Sequence, residues 1–423
     1  MKQLLKLTSA LALMIAVAGA GFYSPLSFAE TEAQKQQRIQ ERKDRRSQAV
    51  SERTGRAVTQ AFELYQDDKV REALTILEGA RTSSDFDRAF VDRYIGQMSI
   101  GIDDAKALDY LKRAARPDIL GFADQSQLLE IIAQLHMNAE QYQEAIDAYN
   151  ALMHFTGEEK HDIFFRIAAA YQQLSQYDRV LEPIDKAIRM SSEPREQYYT
   201  LKFASLYEAQ KIPAAVIVLE EMVQIFPESG QWWFYLGANY QMQEQYTKAL
   251  SALRVANLLG YMQTQSHYQM LGQMFANNDM PFKAADTFEK QMKAGVITEN
   301  RQLLLATASN YQAAREYAKA AEFYGKIGQK ENDAEAYRRQ GEAYLSIQRY
   351  RDAVTAFNKA LELNVENPGR VHLSLVSAHF YQQQYPQALA AVTQARRDSS
   401  LSRQARSWES YIRDKAKQKG VNL

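Results

Sequence analysis

The chain has 423 residues with 51 Lys and Arg against 51 Asp and Glu, so no net field draws it to nucleic acid. It holds no cysteine, which excludes disulfides, thiolate nucleophiles, iron–sulfur clusters and cysteine zinc sites. Only 18 glycines and 9 prolines, set against 25 tyrosines and 18 phenylalanines, favour helix over loop and sheet.

The chain begins with what reads as an address. Lys2 and Lys6 precede a continuously apolar or small run from Leu7 to Val17, Pro25 breaks the segment, and Ser27-Phe28-Ala29 places small residues where a signal peptidase needs them. A cleaved secretory signal over residues 1–29 is expected, with Ala18-Gly19-Ala20 as a second candidate site. The apolar stretch falls short of the ~20 residues that span a bilayer. Without a cysteine the mature end cannot be lipidated, so the expected location is the periplasm of a Gram-negative cell.

Residues 30–56 form a charged arm carrying Lys35, Arg38, Arg42, Lys43, Arg45, Arg46, Arg53 and Arg56. No apolar stripe in it is wide enough to pack, which predicts a frayed helix or flexible segment. Such a cationic arm would suit an acidic partner or weak contact with an anionic membrane surface.

The remainder repeats. Trp233, Leu236, Gly237 and Tyr240, followed by Tyr246, Ala249, Leu253 and Ala256, match the tetratricopeptide signature W-x2-L-G-x2-Y with a small residue in a second helix. Taking that small residue as a ruler gives Ala73, Ala107, Ala145, Val180, Ala215, Ala249, Ala284, Ala320, Ala353 and Ala388, a period of about 34 residues. The copy around Ala107 is degenerate. Two copies, with Ala204 and Tyr207 before Ala215 and with Ser377 and Phe380 before Ala388, read as having turns one residue shorter. The widest interval falls at Arg116-Pro117-Asp118 to Gly121 and predicts a longer loop or hinge. One unit cannot bury its own apolar face, so the units must stack. The fold class is therefore all-α, a right-handed tetratricopeptide-repeat solenoid of about ten helix-turn-helix repeats over residues 57–397. Residues 398–423 supply a C-terminal capping helix and tail, with Ser399 and Ser400 as caps and Leu401, Ala405, Trp408 and Ile412 facing inward.

Catalytic signatures are missing: there is no Gly-rich phosphate loop, G-x-S-x-G elbow, H-E-x-x-H, S-x-x-K pair or EF-hand loop. The closest histidine pairs, His154 with His161 and His372 with His379, are two helical turns apart, too far to share a metal. The expectation is a non-enzyme with no cofactor and no metal. Trp233 sits at a packing position and reads as core, while Trp232, one residue away, packs between repeats or is exposed.

In such repeats the first helices line a concave face, and the residues between packing positions meet a ligand. The candidate protein-binding residues are Phe165, Gln172, Tyr198, Gln231, Phe234, Gln241, Gln269 and Gln273. Amide and aromatic groups predominate, which suits an extended segment or a protein surface held by amide hydrogen bonds. The Lys/Asn/Arg set that grips a C-terminal carboxylate in chaperone-binding members is missing.

Beyond the generic repeat, the chain resembles the tetratricopeptide proteins encoded beside TonB, ExbB and ExbD in marine gamma-proteobacteria. The resembling stretches are ERKDRRSQAV from Glu41, YQQLSQYDRVLEPIDKAI from Tyr171, WWFYLGANYQMQEQYTKAL from Trp232, MPFKAADTFEK from Met280, LLLATASNYQAAREYAKA from Leu303 and the ending KAKQKGVNL. The resemblance implies a periplasmic scaffold that binds TonB, ExbB or ExbD in an energy-transduction system for iron-complex uptake. It transfers no site residue. The alternatives are a periplasmic scaffold for envelope or outer-membrane assembly and a glycan-binding enzyme subunit.

Overall fold

The computed structural model describes residues 31–45 and 48–423, so the expected signal segment and both cleavage sites lie outside the described residues. Among the described residues there are 22 helices and no strand. The chain divides into two compact units, residues 1–163 and 164–423. In the first, α1 (Glu32–Lys43) precedes the pairs α2 (Glu52–Gln66) with α3 (Val70–Glu78), α4 (Asp85–Ser99) with α5 (Asp104–Ala115), and α6 (Phe122–Asn138) with α7 (Tyr142–Thr156). α8 (His161–Gln173) begins at the unit boundary and pairs with α9 (Tyr177–Met190). The second unit continues with α10 (Glu196–Glu208) and α11 (Ile212–Ile225), α12 (Gly230–Met242) and α13 (Tyr246–Leu258), then α14 (Gln265–Asn277) and α15 (Pro281–Lys293). It ends with α16 (Arg301–Ala313) and α17 (Tyr317–Glu331), α18 (Ala334–Ser346) and α19 (Tyr350–Glu362), α20 (Pro368–Tyr381) and α21 (Tyr385–Ala395), and the single α22 (Ser402–Gln418). Each unit is an all-α stack of tetratricopeptide helix pairs.

The ruler residues explain the pairing. Every one, from Ala73 to Ala388, lies in a second helix and is 0% exposed. Twelve positions earlier the first helix supplies Gly237, Gly272 or Gly341, or a buried Ala61, Ala133, Ala168 or Ala308. A Cβ on Gly237 would meet Leu253 Cγ at 2.7 Å, and one on Gly341 would meet Phe357 Cε1 at 2.5 Å. Small residues on both helices let the backbones approach, and the large side chain one turn further along the second helix fills the remaining space. The pair flagged as degenerate uses the same device, since a Cβ on Gly96 would meet Leu111 Cγ at 2.5 Å.

The turns inside the pairs are equally regular. Asp68, Glu140, Ser175, Gln210, Glu244, Asp279, Arg315, Gln348 and Gln383 all take a left-handed φ between 55 and 63°, each five residues before its ruler residue. The next amide closes back on the first helix, as in Lys211 N to Leu206 O at 2.8 Å and Arg349 N to Tyr344 O at 3.0 Å, satisfying carbonyls the helix end leaves open. The turns before Ala215 and Ala388 share this geometry and are not shorter. Phe203 and Val376 fill the place that Gly or Ala holds in seven other pairs, so the adjacent small residues Ala204 and Ser377 suggested a shifted register. A left-handed non-glycine residue costs roughly 1–2 kcal/mol, partly offset on replacement by the greater unfolded-state freedom of glycine. Gln348→Gly is therefore expected to stabilise the chain by about 1 kcal/mol. Thermal denaturation followed by circular dichroism checks this, and an unchanged or lowered midpoint would contradict it.

The charged arm departs from expectation. Thr31 and Gln34 form a reciprocal capping box on α1, and Ile39 is buried against Gly157, whose φ of 70° and missing side chain make the room. Arginines do the rest. Arg38 donates to the His154 carbonyl at 2.7 Å, and Arg42 donates to that of Phe155 at 3.3 Å with its guanidinium 4.6 Å over the Phe155 ring. Those carbonyls end α7, where the helix leaves acceptors open and its dipole is negative. Arg42 and Arg45 pair with Asp118 at 3.3 and 2.9 Å, and Arg45 also donates to the Leu120 carbonyl at 3.0 Å. The loop after α5 is thus the anchor of α1, and three of the arm's cations are committed within the chain. Farther on, Ser51 N donates to Asp87 at 3.0 Å, and α2 begins at Glu52, so Arg53 and Arg56 belong to the first repeat helix. No helix among the described residues is long and apolar enough to cross a membrane.

At the other end α22 buries Ala405, Ile412 and Ala416 against α20 and α21, with Trp408 edge-on to Phe380 at 5.5 Å. Its N-cap is Leu401, without a side-chain bond. Ser400 instead turns back to Asp398, donating through its amide at 2.9 Å and its hydroxyl at 2.6 Å.

Candidate functional site

The candidate residues fall on α8, α10, α12 and α14, the first helices of four consecutive pairs. Aromatic contacts join each helix to the next. Phe165 stacks on Tyr198 at 4.8 Å, Phe203 on Tyr235 at 6.1 Å, and Phe234 meets His267 at 4.5 Å. Trp232 Nε1 donates to Glu196 at 2.5 Å and the Ser205 hydroxyl to Gln172 Oε1 at 2.6 Å, both across the α10 boundaries. The strip is therefore continuous from Phe165 to α14.

Its members are not equally available. Tyr198 is 0% exposed, covered by Phe165, so it is an inter-repeat packing residue and not a contact residue. Gln172 spends one acceptor on Ser205. Gln231, Phe234, Gln241 and Gln269 are half-buried, and Gln273 is exposed and donates to Asn277 of its own helix at 2.7 Å. Gln241 carries a covered Oε1 with no hydrogen-bond partner among the described residues, an acceptor whose desolvation is uncompensated. Met242 beside it is 60% exposed. Sequence reasoning missed Phe203, Tyr235, Tyr261 and His267, which bridge neighbouring repeats and so have no signal in the period of a single one.

The strip has little charge of its own. The carboxylate of Glu196 is taken by Trp232, and Lys202 pairs with Asp185 at 2.8 Å. Burial pushes the His267 imidazole down, which favours its neutral form, and pushes the Tyr261 hydroxyl up, with Tyr235 adding to the effect. Half-buried rings and neutral amides can stack on and hydrogen-bond an extended polypeptide.

Of the two tryptophans, Trp232 takes one of its two expected places and Trp233 departs from the core position expected of it. Trp232 is the buried one, packed between repeats. Trp233 is half-buried, donates to the Pro227 carbonyl at 2.9 Å, and lines a cleft of about 570 Å³ between α11, α12 and α13 with Leu236, Tyr240 and Lys248. The Tyr240 hydroxyl there donates to Glu220, and burial followed by that carboxylate raises its pKa.

Residues 334–367 match the family model described as tetratricopeptide repeat. No curated protein matches the chain. Among solved structures it is similar to residues 41 to the end of MamA from Desulfovibrio magneticus RS-1, at 23% identity over 40% of this chain and 93% of that one, with a TM-score of 0.33. It is also similar to YrrB, described as a TPR protein with an unusual peptide-binding site, at 15% identity over 48% of this chain and 98% of that one, TM-score 0.34. A third is the APC/C hetero-tetramer Cut9–Hcn1, at 13% identity over 85% of this chain and 83% of that one, TM-score 0.28.

Proposed function

We propose that the chain is a non-enzymatic periplasmic adaptor that holds a polypeptide segment of a TonB, ExbB or ExbD type partner along the strip from α8 to α14. The observation that carries the binding surface is the half-buried row of Phe234, Gln241 and Gln269 beside the exposed Met242. Half-buried rings and amides in this row can stack on and hydrogen-bond an incoming backbone. The apolar run and small residues before Glu30 support export. The resemblance in the repeat stretches and the charged arm supports the energy-transduction partner and a role in iron-complex uptake.

In-cell crosslinking with mass spectrometry tests the reading. Crosslinks from the periplasmic fraction are expected to contain TonB, ExbB or ExbD peptides, and the Phe234→Ala, Gln241→Ala, Gln269→Ala triple variant should lose them at least tenfold. Crosslinks without any of the three proteins would overturn the partner assignment. Full retention by the triple variant would overturn the surface.

A further inference from the structure

Two junctions between consecutive pairs share a carboxylate–tyrosine hydrogen bond that the α17–α18 junction, though it keeps the tyrosine, lacks. Five residues after the ruler residue stand Glu220 on α11 and Glu289 on α15, and each accepts a hydrogen bond from the tyrosine of the following first helix, Tyr240 and Tyr311. On α17 the corresponding residue is Gly325. The corresponding tyrosine, Tyr344 on α18, makes no hydrogen bond among the described residues. α18 also carries Gln340 where α12 packs Leu236, and the Gln340 amide lies so close over Gly325 that any side chain there would collide with it. That amide likewise has no hydrogen-bond partner among the described residues. A glycine inside a helix costs about 1 kcal/mol against alanine, and here it opens space beside two uncommitted polar groups.

The space is a cleft of about 500 Å³, within the range of ligand pockets. Its rim carries Lys319, Lys326 and Arg349 against one acid, Glu322. Lys319 reaches Glu289 at 3.1 Å, Lys326 reaches Glu299 and Glu322 at 3.8 and 3.7 Å, and Arg349 donates through Nε to Asp352 at 2.6 Å. These contacts leave donors to spare, since an ammonium has three and a guanidinium five. The Arg349 guanidinium also lies 4.6 Å over the Tyr344 ring, which adds positive charge to this end of the cleft.

We propose that this cleft binds acidic side chains presented by a partner polypeptide, a carboxylate taking the place that Glu220 and Glu289 hold at the other two junctions. The Tyr344 hydroxyl and the Gln340 amide donate to it, and the three cations supply the field that selects an acid over a neutral or basic group. Lys319 and Lys326 are two turns apart on α17, about 10 Å. A run of acidic residues engages both, which one small dicarboxylate cannot. The site lies on other helices than the strip from α8 to α14 and does not depend on it.

Isothermal titration of the full mature chain with an acetylated hexaglutamate peptide tests the proposal, with hexaglutamine and glutarate as further probes. Hexaglutamate is expected to bind and to weaken several-fold as salt rises from about 20 to about 200 mM. The Gly325→Glu, Gln340→Leu double variant rebuilds the arrangement of Glu220, Leu236 and Tyr240 found within the same chain. It should keep its helical circular dichroism and lose at least tenfold in affinity, and Tyr344→Phe should lose a smaller factor. Leu258→Ala, at an exposed residue outside both surfaces, should leave binding unchanged. The proposal fails if hexaglutamate does not bind at millimolar concentration, if hexaglutamine or glutarate binds as tightly, or if the folded double variant binds as the wild type does.

Discussion

Phe357→Ala is expected to destabilise the second unit by about 3–5 kcal/mol, a large fraction of what holds a domain together. The ring is fully buried, lies over Gly341 with no room for a Cβ between them, and packs with Ala353, Ala360, Val371 and Leu375. Removing it takes away the transfer free energy of the ring and leaves a cavity between helices whose approach was set by the small residues around it. In a stacked array each pair is stabilised by its own packing and by its neighbours, so the loss is local first. Hydrogen exchange should accelerate in α18 and α19 and in the pair beyond them, while α10–α13 keep their protection. Adding Gly341→Ala to Phe357→Ala should recover part of the loss, because the new methyl enters the vacated space. Leu258→Ala, at a residue 81% exposed, should change stability by less than about 0.5 kcal/mol. Urea unfolding of the four proteins measures all of this, and a Phe357→Ala midpoint equal to that of Leu258→Ala would refute the packing account.

The pairing was readable because its cause is local and repeated. A small residue at each helix crossing recurs at one period, and a fully buried ruler residue in every second helix follows from it. Where a repeat solves the crossing differently, as with Phe203 and Val376, the nearest small residue misleads and the turn is misjudged by one. The core position expected of Trp233 failed for a related reason. Which of two adjacent rings is covered depends on Glu196 one pair away, not on its own helix. Tyr198 was mistaken for a surface residue because Phe165, on the preceding pair, covers it. The docking of α1 left the faintest trace. Its partners are main-chain carbonyls of His154, Phe155 and Leu120, the side chain of Asp118 and a bare Gly157, far along the chain. Carbonyls carry no sequence signal, so cations that look free for a partner are the ones that hold the segment down. The same blindness covers the Gly325 cleft, which becomes visible only when equivalent positions of different junctions are set side by side.

Acid should remove about 3 kcal/mol of stability from the second unit through one carboxylate, Glu289. The side chain is buried on α15, where desolvation alone would push its pKa up. Hydrogen bonds from Lys293 at 2.5 Å, from the Tyr311 hydroxyl and from Lys319 at 3.1 Å outweigh that and lower it from 4.5 to about 2. A folded-state pKa below the unfolded one means the contribution is fully present above about pH 4.5 and is lost as the pH falls towards 2. Glu299, Asp333 and Glu335 are also held low by cationic partners, so the wild-type profile sums several groups. Glu289→Gln isolates one of them. The amide keeps the shape but cannot titrate, so the variant should start less stable at pH 7 and lose less between pH 5 and 2, the two curves converging at the acid end. Tyr311, whose hydroxyl is kept protonated by burial and by this carboxylate, reports the event by hydrogen exchange in α15–α17. Parallel curves for wild type and Glu289→Gln would show that the carboxylate contributes nothing to the fold. They would also remove the precedent for a carboxylate, internal at Glu289 and external at Gly325, as the group that completes a junction.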